Sequence, residues 1–189
     1  MQFTVLETSR LSIRKFVEDD LTDLVDYRVD PLVSLYQDWD ADWSLADAHR
    51  YLAYADEPEL GTQGEWTQLA IVDRGSGRLC GDIGIHFVDA QPSTVEIGVT
   101  MSRTFQGQGL AAEAVQSVVS WLFSEFDLHR VFAQVDERNA SARVLLTNLG
   151  FRQEAELRKA DWFKGEWTTL CIYGVLAEEW PIDRPNSHA

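Results

Sequence analysis

The chain has 189 residues, 45% hydrophobic and 25% charged, with a formal net charge of −15. That length and balance fit one soluble globular unit with a substantial core. The acid excess argues against a phosphate-neutralising face for nucleic acid, and favours cationic partners or plain solubility. No apolar run approaches the ~20 residues that span a bilayer, and Met1 to Glu7 lacks a basic region followed by an apolar one, so a cytoplasmic protein without membrane attachment is expected. Cys80 and Cys171 are too few and too far apart for a metal or disulfide framework, and both sit in apolar runs that read as buried strands.

Leu11 to Phe16 alternates apolar and polar residues and reads as a first strand. Glu18-Asp19-Asp20 gives an acidic first turn to a helix with Leu21, Leu24, Val25 and Arg28 at helical spacing, which Pro31 is expected to end. Tyr36 to Trp43 alternates aspartates with aromatics and reads as a loop. With the two helices around it, it is either one wall of a binding site or a solvated loop anchored by its tryptophans. Ser44 and Asp47 form a capping signature for a second helix carrying Leu45, His49 and Leu52. Glu57 to Gly64 is a loop. Trp66 to Val72 and Leu79 to Val88, joined by Arg74-Gly-Ser-Gly77, form a hairpin, and the strand from Val95 to Met101 extends it into a meander.

After Met101 the chain passes through Gly107 and Gly109 into an apolar-rich helix from Leu110 to Phe126. Glycines there let backbone N–H groups approach a ligand, and the helix start suits a phosphate or pyrophosphate. No Lys-Ser or Lys-Thr follows, so a triphosphate loop is excluded, and a third glycine is missing for a dinucleotide fingerprint. Val131 to Asp136 is the next strand, placed parallel to its predecessor by a right-handed crossover. Asn139 caps a helix that Gly150 ends, and Arg152 to Phe163 with Thr168 to Leu176 forms a closing hairpin around Lys164-Gly165.

Gln106, Gly109 and Ala111 match Gln-x-x-Gly-x-Ala, and Asn139 with Gly150-Phe151 forms a second match in the right order. Together they resemble the acyl-CoA loop and following helix of the GNAT superfamily of N-acetyltransferases. Leu6-Glu-Thr-Ser-Arg-Leu11, Gly165-Glu-Trp167 and Glu179-Trp180 look like its RimJ/RimL branch, whose members acetylate protein N-termini or small amines. Thr168 and Thr169 stand where that branch often has Asp, which weakens any transfer of its substrate. The resemblance implies an α/β (α+β) fold with a mostly antiparallel sheet of about seven strands and about four helices. It also implies a single acyltransferase domain over residues 1–182, with a mobile tail over 183–189.

The resemblance further implies acetyl-CoA as cosubstrate, no metal, and direct attack by an amine without an acyl-enzyme. Val99, Thr100 and Met101 would pair with the pantetheine arm, and an N–H near Met101 would polarise the thioester carbonyl. Gln106, Gly107, Gln108, Gly109, Leu110 and Ala111 would cradle the pyrophosphate. Asn139 would hold the pantetheine, act as a plain helix cap, or both. Glu96 is the first candidate base, with an outward-facing strand carboxylate as the alternative, and His86 is a weaker candidate. Relatives often use a tyrosine four residues before the helix-ending glycine to protonate the leaving thiolate. Leu146 stands there, so Ser141 or water would serve. Trp39, Asp40 and Trp43 are candidates for binding the acceptor, a peptide N-terminus or a small cationic amine. A monomer or homodimer is expected. Alternatives are a non-catalytic acyl-CoA sensor and a transferase using another donor such as succinyl-CoA.

Overall fold

The computed structural model describes residues 5–56, 59–89 and 91–181. The expected tail over 183–189 lies outside them. The strands are β1 (Leu6–Glu7), β2 (Leu11–Arg14), β3 (Trp66–Asp73), β4 (Leu79–Phe87), β5 (Thr94–Met101), β6 (Arg130–Asp136), β7 (Arg152–Phe163) and β8 (Glu166–Leu176). The helices are α1 (Leu21–Arg28), α2 (Pro31–Ser34), α3 (Leu45–Asp56), α4 (Leu110–Glu125) and α5 (Ala140–Asn148). One sheet runs in the order β1-β2-β3-β4-β5-β6-β8-β7, antiparallel except for β5 against β6. The expected mostly antiparallel α/β architecture is therefore present, with eight strands and five helices among the described residues. The additions are the two-residue β1 and the four-residue α2, both too short to leave a periodic signal.

Pro31 does not simply end a helix. Asp30 accepts from the Leu32 N–H and caps α2, in which Pro31 is the first residue. Its locked φ and missing N–H suit that place. The first acidic turn, Glu18–Asp20, is a short 3-10 turn ahead of α1. There Asp20 is buried, accepts from the Val17 N–H and pairs with Arg14 at 2.7 Å.

Strand alternation splits the core into two layers. Leu69 and Ile71 of β3 join Ile83, Ile85, Val95 and Ile97 against Ala114, Val115, Val118 and Leu122 of α4. Ala70 and Val72, one residue out of phase, pack with Leu21, Leu24, Tyr27 and Ala48 of α1 and α3. The sheet thus has α4 and α5 on one face and α1–α3 on the other. Cys80 and Cys171 are buried free thiols, as expected.

Candidate active site

The parallel pairing of β5 with β6 covers only Thr94↔Arg130, Val95↔Val131 and Glu96↔Phe132, although β5 runs on to Met101 and β6 to Asp136. Beyond Glu96 the two strands part. On its other side β5 stays paired with β4 up to Gly81↔Met101. A Cβ on Gly81 would sit 2.0 Å from the Thr100 carbonyl oxygen, so only glycine permits that approach. The Ser102 N–H donates to the Cys80 carbonyl across this pairing. By strand alternation the N–H groups of Val99 and Met101 point the opposite way, into the opening. The Met101 carbonyl, on the same side, accepts from Gln106 Nε2 at 2.9 Å.

That contact ties the strand end to the loop below it. Arg103–Phe105 forms a 3-10 turn, and Gly107 and Gly109 adopt φ values of +71° and +75°, open to glycine without strain. Gly109 is the N-cap of α4, and a Cβ at Gly107 would meet nothing within 4 Å. Leu110 is buried beneath the helix start and Ala111 packs on the core. Gln108 donates from Nε2 to the Thr104 carbonyl. The first turn of α4 therefore presents unpaired N–H groups over open space, the chemistry of an anion cradle. These residues fit a pyrophosphate.

Arg10 and Glu113 brace the cradle. Arg10 Nη1 donates to the Gln108 carbonyl at 2.8 Å. Glu113 accepts from Thr8 Oγ1, Ser9 Oγ, and the Arg10 backbone N–H and Nε. Burial by itself would raise the Glu113 carboxyl, but these donors hold it down at about 2. The pair joins residues 103 positions apart, which no local pattern reveals.

On the opposite face of the sheet lies a cleft of about 640 Å³, lined by Gly98 and Thr100 of β5, Asp82 and Gly84 of β4, and Trp66 and Gln68 of β3. Asp38, Trp39 and Trp43 wall it from the helix side, and Gln134, Asp136, Asp161 and Phe163 from the far strands. Trp39 and Trp43 enclose a guanidinium of this chain: Arg28 lies 3.6 Å from the Trp39 ring centre and 4.7 Å from those of Trp43 and Tyr51. Arg28 pairs with Asp82 at 2.5 Å, and Tyr51 donates to the same carboxylate oxygen. Burial alone would lower Arg28, but Asp82 and the Tyr27 and Tyr51 hydroxyls hold it well above its ordinary value. Both tyrosines are pushed up, first by burial and then by Asp82. Asp40 is exposed and faces Lys164 at 3.5 Å.

Glu96 lies on the cleft side of β5, in register with His86. Its Oε1 accepts from Gln134 Nε2 at 2.9 Å, and its Oε2 lies 3.6 Å from His86 Nδ1. Asn139 caps α5 through the Ala142 N–H at 3.1 Å. Ser141 is exposed in the first turn of α5, and Leu146 is buried at 4% exposure, so the position of the usual tyrosine is part of the core.

A family model described as an acetyltransferase (GNAT) domain matches residues 10–152. The chain belongs to that family. It is an acyltransferase enzyme, an N-acetyltransferase. An uncharacterized N-acetyltransferase p20 of Bacillus licheniformis is 27% identical over 175 residues, which cover 93% of this chain and 97% of that protein. A spermidine N(1)-acetyltransferase of Escherichia coli (strain K12) is 28% identical over 81 residues, 41% of this chain and 44% of that protein. The crystal structure of a GNAT-family acetyltransferase from Bacillus anthracis superposes with a TM-score of 0.81 at 25% identity, covering 93% of this chain and 100% of that one.

Proposed function

We propose that this chain transfers the acetyl group of acetyl-CoA to the primary amine of a cationic acceptor, by direct attack in a ternary complex. The observation that carries the reading is the parting of β5 from β6 after Glu96, directly above the glycine cradle. An extended pantetheine arm entering the opening pairs with Val99 and Met101, while Thr100 between them turns its backbone to Asp82 of β4 and the pyrophosphate rests on Gln106–Ala111. The Met101 N–H then points at the thioester carbonyl and stabilises the oxyanion that develops there. Asn139 keeps its capping role at the rim, and Ser141 protonates the departing thiolate. Acceptor and donor approach from opposite faces of β5, which keeps the amine's path separate from the CoA path.

The cleft supports a cationic acceptor. Arg28 neutralises Asp82 and Arg138 neutralises Asp136, so the negative character of the wall comes from Asp38 and Asp161, set among Tyr36, Tyr54 and Phe163. Trp39 and Trp43 shape that wall around Arg28, and Asp40 beside Trp39 faces Lys164 instead. The E. coli spermidine enzyme acts on an amine of this kind. Thiol release from acetyl-CoA, screened over polyamines, aminoglycosides, amino acids and peptides with free N-termini, tests the reading. One amine class driving release supports it. Binding of acetyl-CoA without release for any of them favours a second reading, an acyl-CoA sensor. The buried Leu146 at the usual tyrosine position is the observation on its side. Release from succinyl-CoA alone would replace the donor.

A further inference from the structure

Glu96 does not stand alone on the acceptor face. His86, its register partner on β4, turns Nδ1 toward Glu96 Oε2 at 3.6 Å, and that nitrogen is buried with no hydrogen-bond partner among the described residues. The other Glu96 oxygen is held by Gln134. The imidazole stacks on Trp66, with ring centres 5.0 Å apart and planes 17° from parallel. Trp66 lines the cleft, as do Gly84 and Gly98, two positions along β4 and β5 and so the next register pair on this face. A Cβ on Gly84 would come within 2.9 Å of the Trp66 ring, so glycine there leaves room for the ring. The His86 side chain is 21% exposed, and with Nδ1 buried, that exposure falls on the rest of the ring, which carries Nε2.

We propose that His86 takes the proton of the acceptor amine and that Glu96 is its positioning residue. This rests on the cleft being the acceptor side. A carboxylate facing Nδ1 fixes the proton on that nitrogen and leaves the Nε2 lone pair free. Glu96 presents a carboxylate oxygen to the ring, and two neighbours, Trp66 stacked on the imidazole and Gln134 on the other Glu96 oxygen, are neutral. The acceptor ammonium gives one proton through a water to Nε2, forming an imidazolium balanced by Glu96. The neutral amine attacks the thioester carbonyl carbon. The N–C bond forms, the C–S bond breaks with its electron pair going to sulfur, Ser141 gives its proton to the thiolate, and a second nitrogen proton replaces it on Ser141. The products are the acetamide and free CoA thiol, with one proton left on His86 for release to solvent.

Two readouts test this. In ¹⁵N NMR, assigned with His86→Gln, the wild-type ring should carry its proton on Nδ1, and Glu96→Gln should lose that fixed tautomer. A wild-type ring protonated on Nε2 instead would overturn the pairing. With an acetylated amine in hand, His86→Gln should lower kcat/KM about 100-fold. It should also flatten the rise of kcat/KM with pH and leave acetyl-CoA affinity unchanged in calorimetry. Added imidazole should restore turnover to His86→Ala, which guards against a variant that merely misfolds. Glu96→Gln should lower kcat with little change in acceptor KM. Turnover of His86→Gln within twofold of wild type, with the same pH profile, overturns the role while the acetyl-transfer reading stands. A wild-type protein that acetylates no amine overturns that reading and the proton-acceptor role together, and the tautomer still decides the pairing.

Discussion

Arg28 and Asp82 lie 2.5 Å apart with side chains 4% exposed each, in a ring of Tyr27, Trp39, Trp43 and Tyr51. The pair joins the end of α1 to the middle of β4 in the lining of the cleft. Removing one partner strands the other charge in a low-dielectric site. Asp82→Asn and Arg28→Met should therefore each cost about 3–5 kcal/mol in denaturant unfolding. A loss under about 1 kcal/mol would mean that water reaches the pair.

Gln108 is exposed in the cradle and lies outside the core. Gln108→Glu places a negative charge beside the expected pyrophosphate. The acetyl-CoA Kd measured by calorimetry should rise about tenfold at low salt and recover partly as salt screens the charge. Thermal stability should change by no more than about 0.5 kcal/mol. An unchanged Kd would displace the pyrophosphate from this loop.

Glu113 supplies a pH dependence of known sign. Its carboxyl is held at about 2, below the ~4.3 of an unfolded glutamate. Its contribution is fully present above the unfolded value and fades as pH falls from about 4 toward 2. Glu113→Gln should destabilise the protein by about 1 kcal/mol near neutrality, after allowance for solvent screening. The gap from wild type should close in acid unfolding measured below pH ~4. A gap independent of pH would show that packing, not charge, holds Arg10 and Thr8 to α4.

Lys164 sits at the tip of the β7–β8 hairpin with φ +47°, and its Nζ donates to the Ser34 carbonyl at 2.9 Å and the Trp39 carbonyl at 2.6 Å. This contact clasps the Tyr36–Trp43 loop over the cleft. Lys164→Met should raise acceptor KM about threefold to tenfold by loosening that wall, a cost of roughly 1 kcal/mol for each hydrogen bond lost. The KM for acetyl-CoA should not change. Equal rises in both would place the two substrates on the same side of β5.

Local patterns made much of the fold legible. The β3–β4–β5 meander, the α4 crossover and the last hairpin each follow from alternation, helical spacing and turn glycines. Gln106 to Ala111 and the Asn139 cap also sit where their spacing placed them. Arg28 was the least readable. Beside a helix C-terminus it looks like an exposed cation matched to the helix dipole, and only the distant Asp82, Trp39 and Trp43 make it a buried ion. The tryptophans that suggested an open cation site already enclose that guanidinium. The Arg10–Glu113 brace and the Lys164 clasp span about a hundred residues or more, so nothing in their neighbours could announce them.

The most direct test of acetyl transfer is free-thiol release from acetyl-CoA against the amine panel, with mass spectrometry of the acceptor. The expected result is release tied to one cationic amine class and a product heavier by one acetyl group. Tight acetyl-CoA binding with no thiol released by any amine would contradict it and make the chain a sensor.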